Sequence, residues 1–312
     1  MSGAREHRLE GLEPDNLLAF LALLGLLRAL ETAGVRPRAY WAGLPLRPVL
    51  SLPEAMTQQE VAEAAAHGCR SVRTTFSFVV GAFSFTHERL RKLYEEELAK
   101  SPVWASKFDA AVSAFVVEGA RLPTPKKDGH AFQRAPLDCL GGGQTDLFAT
   151  LREALDLCTH SDTAHRLQQA LFTPWRRRHN GNALRWDQAD FRQHAHASRA
   201  PTKDHKRQEW GANLLAVIGS SAVSGWSTSR GASILILSLG SRIGSDGAHE
   251  FSWPIWHRAA SLSAIQALLA HPEVSADKPD VGRLRQAAVS LVLRSRKIWP
   301  TQYAVFTRAE AL

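Results

Sequence analysis

Four side chains within ten residues, Asp187, Asp190, His194 and His196, are of the types that hold divalent cations. On a helix Asp187 and Asp190 would share a face, and so would Asp190 and His194 at i, i+4. Such a cluster would suit a metal-dependent nuclease. The spacing, however, matches no metal signature, neither HExxH nor His-x-Glu followed by CxxC, and His194-x-His196 fits a strand better than a helix. The segment is therefore read as polar and partly exposed, with no metal. "HNGN" at 179–182 places its histidine and asparagines side by side, not separated on a ββα scaffold as an HNH nuclease requires.

Two further patterns bear on chemistry. "LGGGQTD", 140–146, sets three glycines before a helix, where free N–H groups and the helix dipole could receive a phosphate. A nucleotide P-loop needs GxxxxGK[ST], and no lysine occurs between Lys127 and Lys203, so the stretch reads as a helix entry capped by Thr145 or Asp146. No GxSxG elbow and no serine or cysteine with a recognisable base is present. The expectation is a non-enzyme with no catalytic residue, no metal and no cofactor.

Charge points to binding instead. The chain carries a formal +8 and a pI near 9.7, which favours a polyanionic partner. The excess sits in two segments. Residues 176–207 hold nine Lys or Arg against three Asp, and residues 283–309 hold six Lys or Arg and no acid. Six of nine tryptophans lie between positions 175 and 256, beside the first segment. Cations that track phosphates and aromatics that stack on bases are what single-strand binding uses. The candidate nucleic-acid contacts are Arg176, Arg177, Arg178, Arg185, Lys203, Lys206 and Arg207 with Trp175 and Trp210, then Arg294, Arg296 and Lys297. Trp253 and Trp256 in "FSWPIW" read as core.

The two segments differ in local character. Arg176–Arg178 lie between Pro174 and the turn signal Asn180-Gly181, so an exposed loop is expected there. Arg294, Arg296 and Lys297 lie in a regular element, helix or strand, anchored by Leu291, Leu293 and Ile298, with the cations on one surface free of acids.

The elements that must position these residues are mixed. "LLAFLALLGLL", 17–27, is apolar on nearly all sides but too short to span a bilayer, so a buried helix over 15–33 is expected, with Asp15 as cap and Gly34 as stop. Thr57 and Glu60 have capping-box spacing ahead of a helix over 57–72. "TTFSFVVGAFSF", 74–85, reads as a buried strand. A helix turning into a strand is expected over 103–120, and "RLPTPKKDGHAFQRAP", 121–136, is the best linker candidate. Without regular βα alternation the fold class expected is α+β, mixed helices and short strands around one large core. It divides into an N-terminal subdomain 1–135 and a basic, Trp-rich subdomain 136–312, or runs as one continuous domain. Three cysteines without CxxC spacing suit a reducing, cytoplasmic setting, and no membrane partner is expected.

Several stretches together resemble one family. "GLEPDNLLAFLALLGLLRALE" resembles the opening "GLxxxNPLxFLAALGxLRAL" of type I-G CRISPR subunits, in the group described as an extension of the helicase–nuclease. "GGGQTDLFATLREAL", "LRWDQADFRQHAHASRAP", "EWGANLLAV", "FSWPIWHRAASLSAIQALLA" and "SRKIWPTQYAVFT" resemble further motifs of that group, in order along most of the chain. Leu17 stands where the pattern has proline, and His194 and His196 depart from it as well. The resemblance carries over no catalytic residue. It implies a non-catalytic nucleic-acid-binding subunit of an RNA-guided type I interference (Cascade) complex, large-subunit-like. Guide RNA, target DNA, other effector subunits and the helicase–nuclease would be its partners. A protein–protein adaptor docking the helicase–nuclease and a metal-dependent nuclease are the alternatives.

Overall fold

In the computed structural model, residues 3–79, 87–119, 131–140, 147–190, 207–230, 233–300 and 303–312 are described. The fold is α+β, as the sequence suggests. Strand β1 (Ala4–Arg8) leads into α1 (Leu17–Thr32), whose residues are nearly all buried. Asn16, not Asp15, caps α1: its side chain accepts from the Leu18 N–H. Asp15 instead pairs with Arg308, and its carbonyl accepts from the Ala309 N–H at 2.9 Å. β2 (Arg38–Ala42) and β3 (Arg47–Met56) complete a three-stranded sheet in the order β1-β3-β2. The Thr57–Glu60 capping box opens α2 (Gln58–Arg73) as expected.

The strand expected from residue 74 is not formed. Thr74–Val79 is a 3₁₀ helix continuing α2, because the hydroxyls of Thr74 and Thr75 donate back to the carbonyls of Ser71 and Val72, both at 2.7 Å. Residues 80–86 lie outside the described residues. Next come α3 (His87–Lys100), α4 (Pro102–Ser113) and the hairpin of β4 (Val116–Gly119) with β5 (Ala131–Arg134). Part of the expected linker is thus a strand, and its residues 121–130 lie outside the described ones, as does the glycine loop 141–146. α5 (Leu147–Asp156) and α6 (Thr163–Phe172) precede the two-residue strands β6 (His179–Asn180) and β7 (Arg207–Gln208), which pair antiparallel.

α7 (Trp210–Ser220) is buried along its length and packs against α1 with almost no gap. A Cβ placed at Gly25 would meet the Leu215 carbonyl oxygen at 1.8 Å, and one at Gly219 would meet that of Leu21 at 2.0 Å. Beyond α7 are the hairpin β8 (Gly225–Arg230)–β9 (Ser233–Ser238), then β10 (Ser241–Ile243), β11 (His249–Trp256), α8 (Leu262–Leu269), the short α9 (Pro272–Ser275) and α10 (Val281–Leu284), and β12 (Val289–Ile298). β13 (Val305–Phe306) and β14 (Glu310–Ala311) close a five-stranded antiparallel sheet. Between helix and strand for the C-terminal basic segment, pairing with β11 selects the strand.

Apolar side chains from both halves of the chain meet in one core that runs from Leu9 to Ala309. Trp253 and Trp256 are buried there, as expected, and donate to the carbonyls of Pro14 and Ala39. No helix among the described residues is long and apolar enough to cross a membrane.

Candidate nucleic-acid interface

The segment from Trp175 to Asp190 is built around two carboxylates that point inward. Asp187 is buried and accepts from Asn16 Nδ2 at 2.9 Å, from the Ala189 N–H at 3.0 Å, and from Arg177 through Nε at 2.6 Å and Nη2 at 3.1 Å. It therefore ties the cap of α1 to the turn at 188–190 and to the 174–180 loop. Burial works against the charge of Arg177, but the Asp187 carboxylate outweighs it and raises the guanidinium pKa. Glu209 is the second carboxylate. Burial raises its pKa, partly offset by the backbone N–H groups of Arg177 and Arg176, which donate to it. One acid holds the side chain of Arg177 and the other holds the loop backbone.

With Arg177 turned inward, its neighbours Arg176 and Arg178 project outward and are exposed. Antiparallel pairing of β6 with β7 sets Arg207, also exposed, opposite Asn180. Below this ribbon, Asn182 donates from Nδ2 to Glu153 at 2.9 Å, and Gln208 contacts Asp190 and Asn213. The result is a braced ribbon with three outward arginines and no ion pair from them to any described residue. A shallow cleft beneath it is lined by Glu153, Asn182, Trp210 and Asn213.

The other candidates fare differently. Trp210 is not an open stacking platform: His179 stacks on it with centroids 4.7 Å apart, and the Arg166 guanidinium lies 4.3 Å from its ring. Trp175 is half-buried and donates from Nε1 to the Ala170 carbonyl at 2.8 Å. Arg185 is buried with the rest of "LRWD": Leu184 is in the core, and Trp186 stacks on Phe115 while donating to the Leu137 carbonyl. Lys203 and Lys206 lie outside the described residues, as do His194 and His196. No group of three or more metal-binding side chains occurs among the described residues, and Asp187 is fully engaged without a metal.

The second basic segment does not form the acid-free surface expected of it. Residues distant in sequence bring acids to it: Arg294 approaches Glu250 and donates from Nε to Ser252 at 2.8 Å, Arg296 pairs with Asp246, Arg283 with Glu273, and Arg308 with Asp15. Lys297 points to the opposite face of β12 from Arg294 and Arg296 and is buried. Its ammonium donates to the carbonyls of Pro136 at 3.0 Å and Asp138 at 2.5 Å. These cations serve as structural ties, a role that sequence could not reveal because their partners lie 10 to 293 residues away. Asn16, Glu209, His179 and Arg166 were equally invisible as site residues, although Asn16 directly before an apolar run is a cap signal.

No protein-family model matches the chain, and no curated protein sequence does either.

Proposed function

We propose that the chain is a non-catalytic nucleic-acid-binding subunit of an RNA-guided type I DNA-interference complex, acting in the cytoplasm with guide RNA, target DNA, the other effector subunits and the helicase–nuclease. The resemblance of its ordered motifs supports the setting. The braced ribbon with Arg176, Arg178 and Arg207 directed outward supports the contact. Guided complexes read the target by base pairing, and the protein holds the flanking duplex and the displaced strand. Arginines fixed on a stiff ribbon suit that task, because their backbone is ordered before the ligand arrives and little further freedom is lost on binding.

Fluorescence anisotropy of labelled duplex and single-stranded DNA at several salt concentrations tests this, with the isolated subunit and with the assembled complex. Each duplex phosphate neutralised contributes about −0.9 to the slope of log K against log salt. Arg176, Arg178 and Arg207 changed together to Ala should make that slope shallower by about 3 units. A wild-type slope near zero, or a triple variant with unchanged slope and affinity, would reject the reading and leave the adaptor role.

A further inference from the structure

Arg185 sits where a cation is costly. It is 7% exposed, its Nε is buried without a hydrogen-bond partner, and its guanidinium lies 4.5 Å from the ring of Tyr303. No carboxylate of the described residues lies within ion-pairing distance. Its backbone is held in the left-handed region, φ 63°, by the turn into "LRWD", where its carbonyl accepts from the Phe306 N–H at 3.1 Å. Arg166, also partly unsatisfied, pairs with Asp162 at 2.6 Å. Arg185 feels the charge of Asp190, which offsets part of the burial, but it forms no ion pair with a described residue and lies against the ring of Tyr303. A buried guanidinium with no ion-pair partner destabilises a fold that makes no other use of it. Strained backbone and an unsatisfied buried donor at one residue are the marks of a binding position.

We propose that Arg185, oriented by Tyr303, is a receptor for a single phosphate group. A guanidinium fork matches two phosphate oxygens, and the hydrogen bonds so made are charge-assisted. The Tyr303 ring, 4.5 Å from the guanidinium, limits the planes the fork can adopt. The site is distinct from the ribbon: Arg176, Arg178 and Arg207 are exposed cations that follow a backbone, whereas Arg185 is a buried one that waits for an anchor. That the phosphate belongs to a nucleic acid rests on the function proposed above. The receptor itself does not.

The test uses full-length protein and three probes: inorganic phosphate at low millimolar concentration against chloride of equal ionic strength, a short single-stranded oligonucleotide with a 5′-phosphate, and the same oligonucleotide with a 5′-hydroxyl. Melting temperature and affinity are measured for wild type, Arg185→Lys and Arg185→Met. In the absence of phosphate, Arg185→Met should melt at or above wild type, since it removes a buried charge that has no ion-pair partner. Phosphate should raise the wild-type melting temperature and leave that of Arg185→Met unmoved. Arg185→Lys, which keeps the charge and loses the fork, should bind the preferred probe at least about 10-fold more weakly. Preference for the 5′-phosphate assigns the site to a strand end, and equal binding of both oligonucleotides assigns it to an internal phosphate. A response to inorganic phosphate without oligonucleotide binding would keep the receptor and overturn the nucleic-acid reading. Equal phosphate shifts in wild type and Arg185→Met, or no response of wild type to any probe, would overturn the receptor.

Discussion

A carboxylate that accepts from Asn16, Ala189 and Arg177 has its lone pairs occupied inside the fold. Asp187→Ala should therefore destabilise the protein by about 3 kcal/mol, because it leaves Asn16 and a partly buried guanidinium without their acceptor. Asp187→Asn, which retains one acceptor, should cost less. Urea denaturation of both variants measures the difference, and equal, negligible losses would contradict the bridging role. His249 carries a separate prediction. Burial lowers its pKa to about 4, with the charge of Lys297 adding to the effect, and its Nδ1 is buried without a partner. Between about pH 6.5 and about pH 4 the unfolded chain takes up a proton that folded His249 refuses, so stability is lost as pH is lowered through that window. His249→Gln should flatten this limb of the stability–pH curve. Residue types alone suggested chemistry at Asp187 and binding at Lys297. What decided both was the identity of partners far along the chain, and local spacing carries no trace of those.

Among the elements, those governed by local rules were readable. The Thr57–Glu60 box is present at both of its bonds, with Thr57 N–H to Glu60 at 2.6 Å and Glu60 N–H to Thr57 at 3.2 Å. Thr57→Ala should cost about 1 kcal/mol by thermal or urea unfolding. The 3₁₀ turn at Thr74–Val79 departs from the expected strand because β-branched and aromatic residues favour a strand on propensity, while here two threonine hydroxyls bond back to the preceding turn of α2. The ribbon was half legible. Pro174 and Asn180-Gly181 announce an exposed loop, but its pairing with β7 spans a gap of 26 residues and needs the fold to bring the strands together. Packing of α1 on α7 depends on glycine at the crossing. Gly25→Ala should destabilise by about 3 kcal/mol or more, since its Cβ would overlap a backbone carbonyl that cannot move without shifting a helix. A loss under 1 kcal/mol would show that α1 and α7 can separate cheaply.

For the whole molecule, position matters more than net charge. The two basic segments carry equal net charge, yet one exposes Arg176, Arg178 and Arg207 while the other ties Arg294, Arg296 and Arg308 to acids and buries Lys297. Changing Arg294, Arg296 and Lys297 together to Ala should lower the melting temperature markedly. Changing Arg176, Arg178 and Arg207 together should barely move it while weakening nucleic-acid binding. The reverse pattern would assign the contact to the C-terminal sheet. The junction of α1 with α7 also sets a timetable for synthesis. The ribosome delivers α1 about 180 residues before α7 begins, and elongation at about 5–20 residues per second leaves its apolar surface without that partner for roughly 10–40 s. Nascent chains halted before Trp210 should recruit a hydrophobic-segment chaperone at α1, and chains extended well past Ser220 should release it.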